Sequence, residues 1–267
     1  MRTRVSIIAT VGPACADEAT LRAMAEGGMD AARFNFSWKG STDFKRDLGA
    51  VRAAAAASRR KLLLIGDLPG PRVQEGRGHT YDAAAAFSLT ERDEEFARFC
   101  IDEGFTHIAL SFVGSGDDMR RSRERIERLG GGTLKLIAKI ERKSAVLDID
   151  RILKAADAVM VARGDLGREI PLPTLPFVQR DIIRRAGAAG KPSIVATQML
   201  ESMVREPEPT RAEVTDISQA ILEGADAVML SEETAVGARP VEAVRAMESI
   251  ALEAERHLAP ETTRREL

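Results

Sequence analysis

Lys139 and Glu141 stand two positions apart at the end of the apolar run Leu134 to Ile140. On a strand, side chains two apart share a face, so an ammonium and a carboxylate are presented together. Asp165 follows Arg163 and Gly164 just after a second apolar run, Ala158 to Ala162. A glycine there lets backbone come close to a ligand. Two carboxylates with no convergent histidine or cysteine suit a hard, oxygen-seeking cation such as Mg²⁺ or Mn²⁺, which keeps water or substrate oxygens in its remaining positions. Zinc is poorly served by such a set. An ammonium beside that cation can neutralise a developing enolate or a transferring phosphate, and Arg33 adds a planar fork for phosphate or carboxylate. The same charges, Lys139, Glu141, Arg163 and Asp165, could instead form an ion-pair ring that only closes the fold; the residue types favour chemistry.

Something must bring these residues to one place. Short β-branched runs alternate with longer Ala-, Glu- and Arg-rich segments of helical period. The expected strands are 5–11, 31–36, 62–67, 107–112, 134–140, 158–162, 193–197 and 227–230. The expected helices are 19–26, 42–57, 92–103, 117–129, 144–154, 175–188, 210–223 and 240–257. Runs such as AVMVA and AVMLS are apolar on both faces, as in a parallel sheet covered by helices. Eight βα units in this length predict an α/β fold, a single (β/α)8 TIM barrel over residues 1–258, followed by a polar tail, 259–267, that should fray. Reacting groups of such barrels lie at the C-terminal strand ends. That places Arg33, Asn35, Ser37, Asp67, Ser111, Lys139, Glu141, Arg163, Asp165, Thr197, Gln198, Ser231 and Glu233 around one mouth. Residues 76–90 read as a plain connection. The triplets Gly224-Ala225-Asp226 and Ala155-Ala156-Asp157 precede similar strands, a weak internal echo.

Composition excludes several other functions. The chain has 267 residues, 39 basic and 41 acidic, with a formal net charge of −2, so no concentrated positive field awaits nucleic acid or an anionic membrane. No run approaches the roughly 20 apolar residues of a membrane span, and no secretory core is present, which predicts a cytoplasmic protein. Cys15 and Cys100 lack metal-ligand spacing and should be small buried groups. His79, His107 and His257 share no spacing and are expected to be structural, and Met160, Met199, Met203 and Met229 to fill the core. Trp38 could stack on a planar substrate or simply pack at the rim.

Longer motifs carry a resemblance. The segments IIATVGPA, GGMDAARFNFS, GDLPGP, IAKIE, MVARGDLGREIP, GKPSIVATQMLESM, PTRAEVTDISQAILEGADAVMLS and EETAVGARPVEAV together resemble the pyruvate kinase family over nearly the whole chain. The resemblance implies a (β/α)8 barrel of the phosphoenolpyruvate/pyruvate superfamily. It implies that Lys139 carries phosphoryl and enolate chemistry, that Glu141 and Asp165 hold Mg²⁺ or Mn²⁺, and that Gly164 and Asp165 offer N–H groups to a substrate carboxylate. It likewise implies that Thr197 lines the place of enol protonation and that Arg33 grips the transferred phosphate, with Asn35 and Asp67 on the same ketoacid and metal side; Arg163 and Ser231 are added as substrate-side candidates by their place at strand ends. Potassium-independent relatives carry leucine at the position of Leu68 and a basic residue at that of Arg72. Arg72 can take the electrostatic part of a bound monovalent cation, so no potassium requirement is expected.

The departures lie on the nucleotide side. The resemblance implies a lid inserted after the third strand, where this chain has the short 76–90 link, and a regulatory domain after the barrel, where this sequence has its eighth helix and a short tail. Trp38 stands for the usual histidine, Gln74 for an arginine and Glu232 for a glycine. These departures favour metal-dependent enolate chemistry on a pyruvate- or oxaloacetate-like 2-oxo acid, a lyase or aldolase making or breaking a carbon–carbon bond, with an aldehyde as one acceptor. The alternative is a minimal pyruvate kinase passing phosphate from phosphoenolpyruvate to a nucleotide or other phosphoryl acceptor, and a third reading is a non-catalytic binding relic. Assembly into a homo-oligomer is compatible with each.

Overall fold

The computed structural model describes residues 2–38, 41–75, 78–80, 87, 89–258 and 264–267. Eight parallel strands close into a barrel: β1 (Ser6–Thr10), β2 (Met29–Asn35), β3 (Leu63–Leu68), β6 (His107–Leu110), β7 (Lys135–Ile140), β8 (Ala158–Ala162), β9 (Ser193–Ala196) and β10 (Ala227–Leu230), β10 pairing back to β1. The two remaining strands, β4 (Val73–Glu75) and β5 (Gly78–Thr80), form a small antiparallel hairpin. The TIM barrel expected from alternating periods is therefore present. The plain connection is not, since its residues 78–80 form the second strand of this hairpin; a three-residue strand is too short to show a period. Residues 76, 77, 81–86 and 88 of that stretch lie outside the described residues.

Helices follow the barrel strands. Glycine sets the return of several: Gly28, at φ 136°, caps the helix Glu18–Gly27, a backbone geometry that other residues resist. Thr90 opens the helix Glu91–Asp102 with a reciprocal capping box to Asp93. The helix expected over 144–154 is two, Lys143–Leu147 and Ile149–Ala155, broken at Asp148.

Alternation along the strands dictates the layers inside the barrel. Ile8, Ala31, Ile65, Ala109 and Ile137 belong to an apolar plug that also holds Met160, Ile194 and Met229. Two positions further along each of those first five strands come Thr10, Arg33, Asp67, Ser111 and Lys139. A polar layer therefore sits directly on an apolar one, at the C-terminal mouth. Residues of opposite parity face the helices: Phe34 and Phe36 pack with Phe44, Phe96, Phe99 and Phe105, the Phe36 and Phe96 rings stacked at 4.5 Å. Gly66 makes room for this packing, because a Cβ there would lie 2.4 Å from Cys100 Sγ and 2.7 Å from Phe36. Asp67 is thus seated by a crowded neighbour on one side and the apolar plug below.

The tail does not fray throughout. Arg264 donates to the carbonyls of Ile221 and Ala225, Arg265 pairs with Asp226 at 3.0 Å, and Leu267 packs against the plug from its N-terminal end, the floor of the barrel. Its polar composition concealed two arginines matched to buried acceptors. Residues 259–263 lie outside the described residues.

Candidate active site

The polar layer is one connected network. Arg33 directs Nε and Nη2 to Oδ2 of Asp67, at 2.8 and 2.7 Å, and Nη1 to the hydroxyl of Thr10 at 2.9 Å. Lys139 Nζ reaches Asp67 Oδ1 at 3.1 Å, Ser111 Oγ at 2.7 Å and Glu141 Oε1 at 3.0 Å. Glu141 Oε2 accepts from the Phe112 N–H at 2.6 Å. The shared face anticipated for Lys139 and Glu141 is realised, with Glu141 one residue beyond the end of β7.

All these groups are buried, so their charges must be balanced locally. Burial alone would raise the Asp67 carboxyl, but Lys139, Arg33 and Arg72 overcome it and hold its pKa down to about 2. Glu141 goes the other way. Burial raises it, Lys139 opposes, and the nearby Asp165 carboxylate raises it further. Two carboxylates in mutual repulsion, one of them buried, present hard oxygen donors whose repulsion a divalent cation would relieve, so Glu141 and Asp165 fit the metal-holding part. Among the described residues no group of three or more His, Cys, Asp or Glu side chains gathers to hold a metal, leaving a cation at this pair dependent on other oxygens, such as substrate and water.

Other expected site residues are placed as follows. Gly164, in the helix Arg163–Glu169, directs its N–H to Thr197 Oγ1 at 2.8 Å, and that hydroxyl donates to Ala196 O at 2.6 Å. Gly164, Thr197, Gln198, Ser231 and Glu232 line one cavity of about 230 Å³. Asn35 Oδ1 accepts from the Ser37 N–H at 3.1 Å, forming the turn after β2. Arg72 has a buried Nε without a hydrogen-bond partner among the described residues. Arg163, expected on the substrate side, turns its guanidinium to the carbonyls of Thr197 and Gln198 and to Asp216. Trp38 is 48% exposed at the rim, and the Gln74 side chain lies outside the described parts.

Three contributors escaped the sequence reading. Thr10 ends an apolar run as the other site residues do, so the same rule could have found it. Phe112 contributes only its backbone N–H, at φ 60°, and a main-chain donor leaves no trace in residue type. Asp216 comes from a helix 53 positions beyond Arg163.

Fold and site define a (β/α)8-barrel protein whose mouth presents a buried ammonium between two acids, with a third carboxylate beside them. The family profile described as pyruvate kinase, barrel domain, matches residues 2–88 and 82–244. A pyruvate kinase of Thermococcus litoralis is 34% identical over 328 aligned positions, covering 93% of this chain and 69% of the relative. One of Mycobacterium intracellulare is 36% identical, covering 94% and 70%. A pyruvate kinase of Thermotoga maritima is 48% identical over 171 positions, covering 64% and 36%. The chain belongs to the pyruvate kinase family. Because 328 aligned positions exceed the 267 residues here, at least 61 positions of the Thermococcus protein face no residue of this chain. The two profile segments meet at residues 82–88, within the short link after the third barrel strand.

These likenesses correct the favoured activity. Relatives matched over almost the entire chain are named as kinases, phosphotransferases, and not as lyases or aldolases. The carbon–carbon reading rests on departures at the nucleotide side alone. The retained layer is equally suited to phosphoryl transfer.

Proposed function

We propose that this protein transfers a phosphoryl group between phosphoenolpyruvate and a nucleoside diphosphate. The observation that carries the reading is the 34–36% identity to pyruvate kinases over 93–94% of the chain. The mouth supports it. Phosphoryl transfer needs fixed positive charge more than covalent help, and Lys139 and Arg33 supply two cations already desolvated and oriented by Asp67. Lys139 stabilises the enolate left when phosphate departs. Thr197, its hydroxyl held at the end of β9, sits beside Gly164 where the enol would receive its proton. Glu141 and Asp165 would hold a divalent cation, which when bound supplies Lewis-acid polarisation of substrate oxygens. Arg72 contributes positive charge beside Asp67 without an exchangeable ion.

A coupled assay with phosphoenolpyruvate, ADP and Mg²⁺ or Mn²⁺ tests this. Pyruvate should form at equal rates in sodium and potassium buffers. Absence of pyruvate with either metal would end the kinase reading, and a strong stimulation by potassium would end the role given to Arg72.

A further inference from the structure

Thr197 and Gln198 both adopt positive φ, 71° and 54°, a left-handed backbone that a β-branched residue strongly resists. Such a conformation persists only where the surroundings over-determine it. Here the surroundings are chiefly one side chain. Arg163 directs Nε and Nη2 to the Thr197 carbonyl at 3.2 and 2.8 Å, and Nη2 also to the Gln198 carbonyl at 3.1 Å. Its Nη1 is fixed by Asp216 Oδ2 at 2.6 Å, from the helix Arg211–Leu222. The guanidinium is buried, so few of its donors are free for solvent. The next residue, Gly164, grips Thr197 from the other side through its N–H and the threonine hydroxyl.

We infer that Arg163 is a positioning residue: with Asp216 as its anchor, it locks the left-handed turn at Thr197 and so fixes the Thr197 hydroxyl against Gly164. This rests on the role proposed above for Thr197. A planar fork suits this arrangement, because its Nε, Nη1 and Nη2 spread the donors over two successive carbonyls and an external carboxylate in one fixed geometry, whereas an ammonium places all its donors on a single flexible nitrogen. Two consecutive loops of the mouth, those after β8 and β9, therefore behave as one unit. Arg163 does not itself touch substrate.

The test uses the full chain and two independent readouts. In Arg163→Lys, hydrogen exchange at the Gly164 amide, followed by NMR, should accelerate about tenfold or more, approaching the rate in Thr197→Val. With phosphoenolpyruvate and ADP, kcat should fall about 10- to 100-fold while KM for phosphoenolpyruvate moves less than about threefold. In a Thr197→Val background the same change should cost less than about threefold, because both substitutions remove one interaction. Asp216→Asn should shift both readouts in the same direction by less, and it carries the test if Arg163→Lys fails to fold. Unchanged Gly164 protection, or strictly additive losses in kcat, would overturn the inference. A wild-type protein without kinase turnover would refute the proposed function alone, since Gly164 exchange still decides this one.

Discussion

The two ends of the barrel handle acids in opposite ways. At the floor each acid has its own partners. Asp226 accepts from the Ser193 N–H at 2.9 Å and pairs with Arg265; Asp157 accepts from the Leu136 N–H at 2.8 Å and pairs with Arg123; Asp30 accepts from the Ile7 N–H at 3.0 Å and pairs with Arg60. In each case the carboxylate closes the start of a neighbouring strand and an arginine neutralises it. At the mouth the partners are shared: Lys139 serves Asp67, Glu141 and Ser111 together. Dedicated arginine partners, two for Asp30 and one each for Asp157 and Asp226, are how an acid contributes to a stable closure. A shared set, with Glu141 raised by burial and by the Asp165 carboxylate, leaves oxygens for a ligand to complete, which is the arrangement expected of a reactive site.

That contrast can be broken most forcefully at Lys139. Lys139→Met should reduce turnover about 10³-fold, some 4 kcal/mol, while the barrel still unfolds cooperatively; kinetics together with denaturant unfolding check both halves, and retained turnover would sink the assignment. Next comes the floor histidine. Burial holds His107 down to about 4 from an ordinary 6.5, against the raising influence of Asp157. An imidazole whose folded pKa is depressed contributes stability that is complete above pH 6.5 and is lost as pH falls toward 4, here about 3 kcal/mol. Unfolding free energies measured from pH 7 to 4 should show that loss in the wild type and a flatter profile in His107→Gln. Identical profiles would show that the imidazole is not the group responsible. Asp67, with its pKa held at about 2, contributes only in the lower window, its share being lost as pH drops below 3.8. The mildest change is Asp226→Asn, which keeps an acceptor for Ser193 but loses the ion pair. Stability should fall by about 2 kcal/mol with kcat unaltered, and an equal loss of turnover would erase the distinction between the two ends.

Much of this was legible in the residues. Both-face apolar runs marked all eight barrel strands to within about two residues, because a strand covered by helices leaves a continuous signal. The echo of Ala155-Ala156-Asp157 in Gly224-Ala225-Asp226 proves to be structural: in each the aspartate binds an N–H at the start of the preceding barrel strand, Leu136 and Ser193 respectively. The polar strand ends correctly nominated Arg33, Asp67 and Lys139 as neighbours. Residue type could not tell where Arg163 would point, since an arginine reaches equally to ligand or to carbonyl and only the left-handed turn at Thr197 decides. Nor could it reveal the Phe112 N–H or the seating of Arg264 and Arg265, whose acceptors lie far away in the chain. The activity is not legible for a different reason: the retained polar layer serves either chemistry, and departures on the nucleotide side do not choose between them.

Arg2 binds Gly28 and Asp30 at the same floor where Arg264, Arg265 and Leu267 are seated. Residue 2 and residues 264–267 thus share the face away from the catalytic opening. Anchoring the molecule to a sensor chip or bead through either would leave that opening turned outward, accessible to diffusing small molecules.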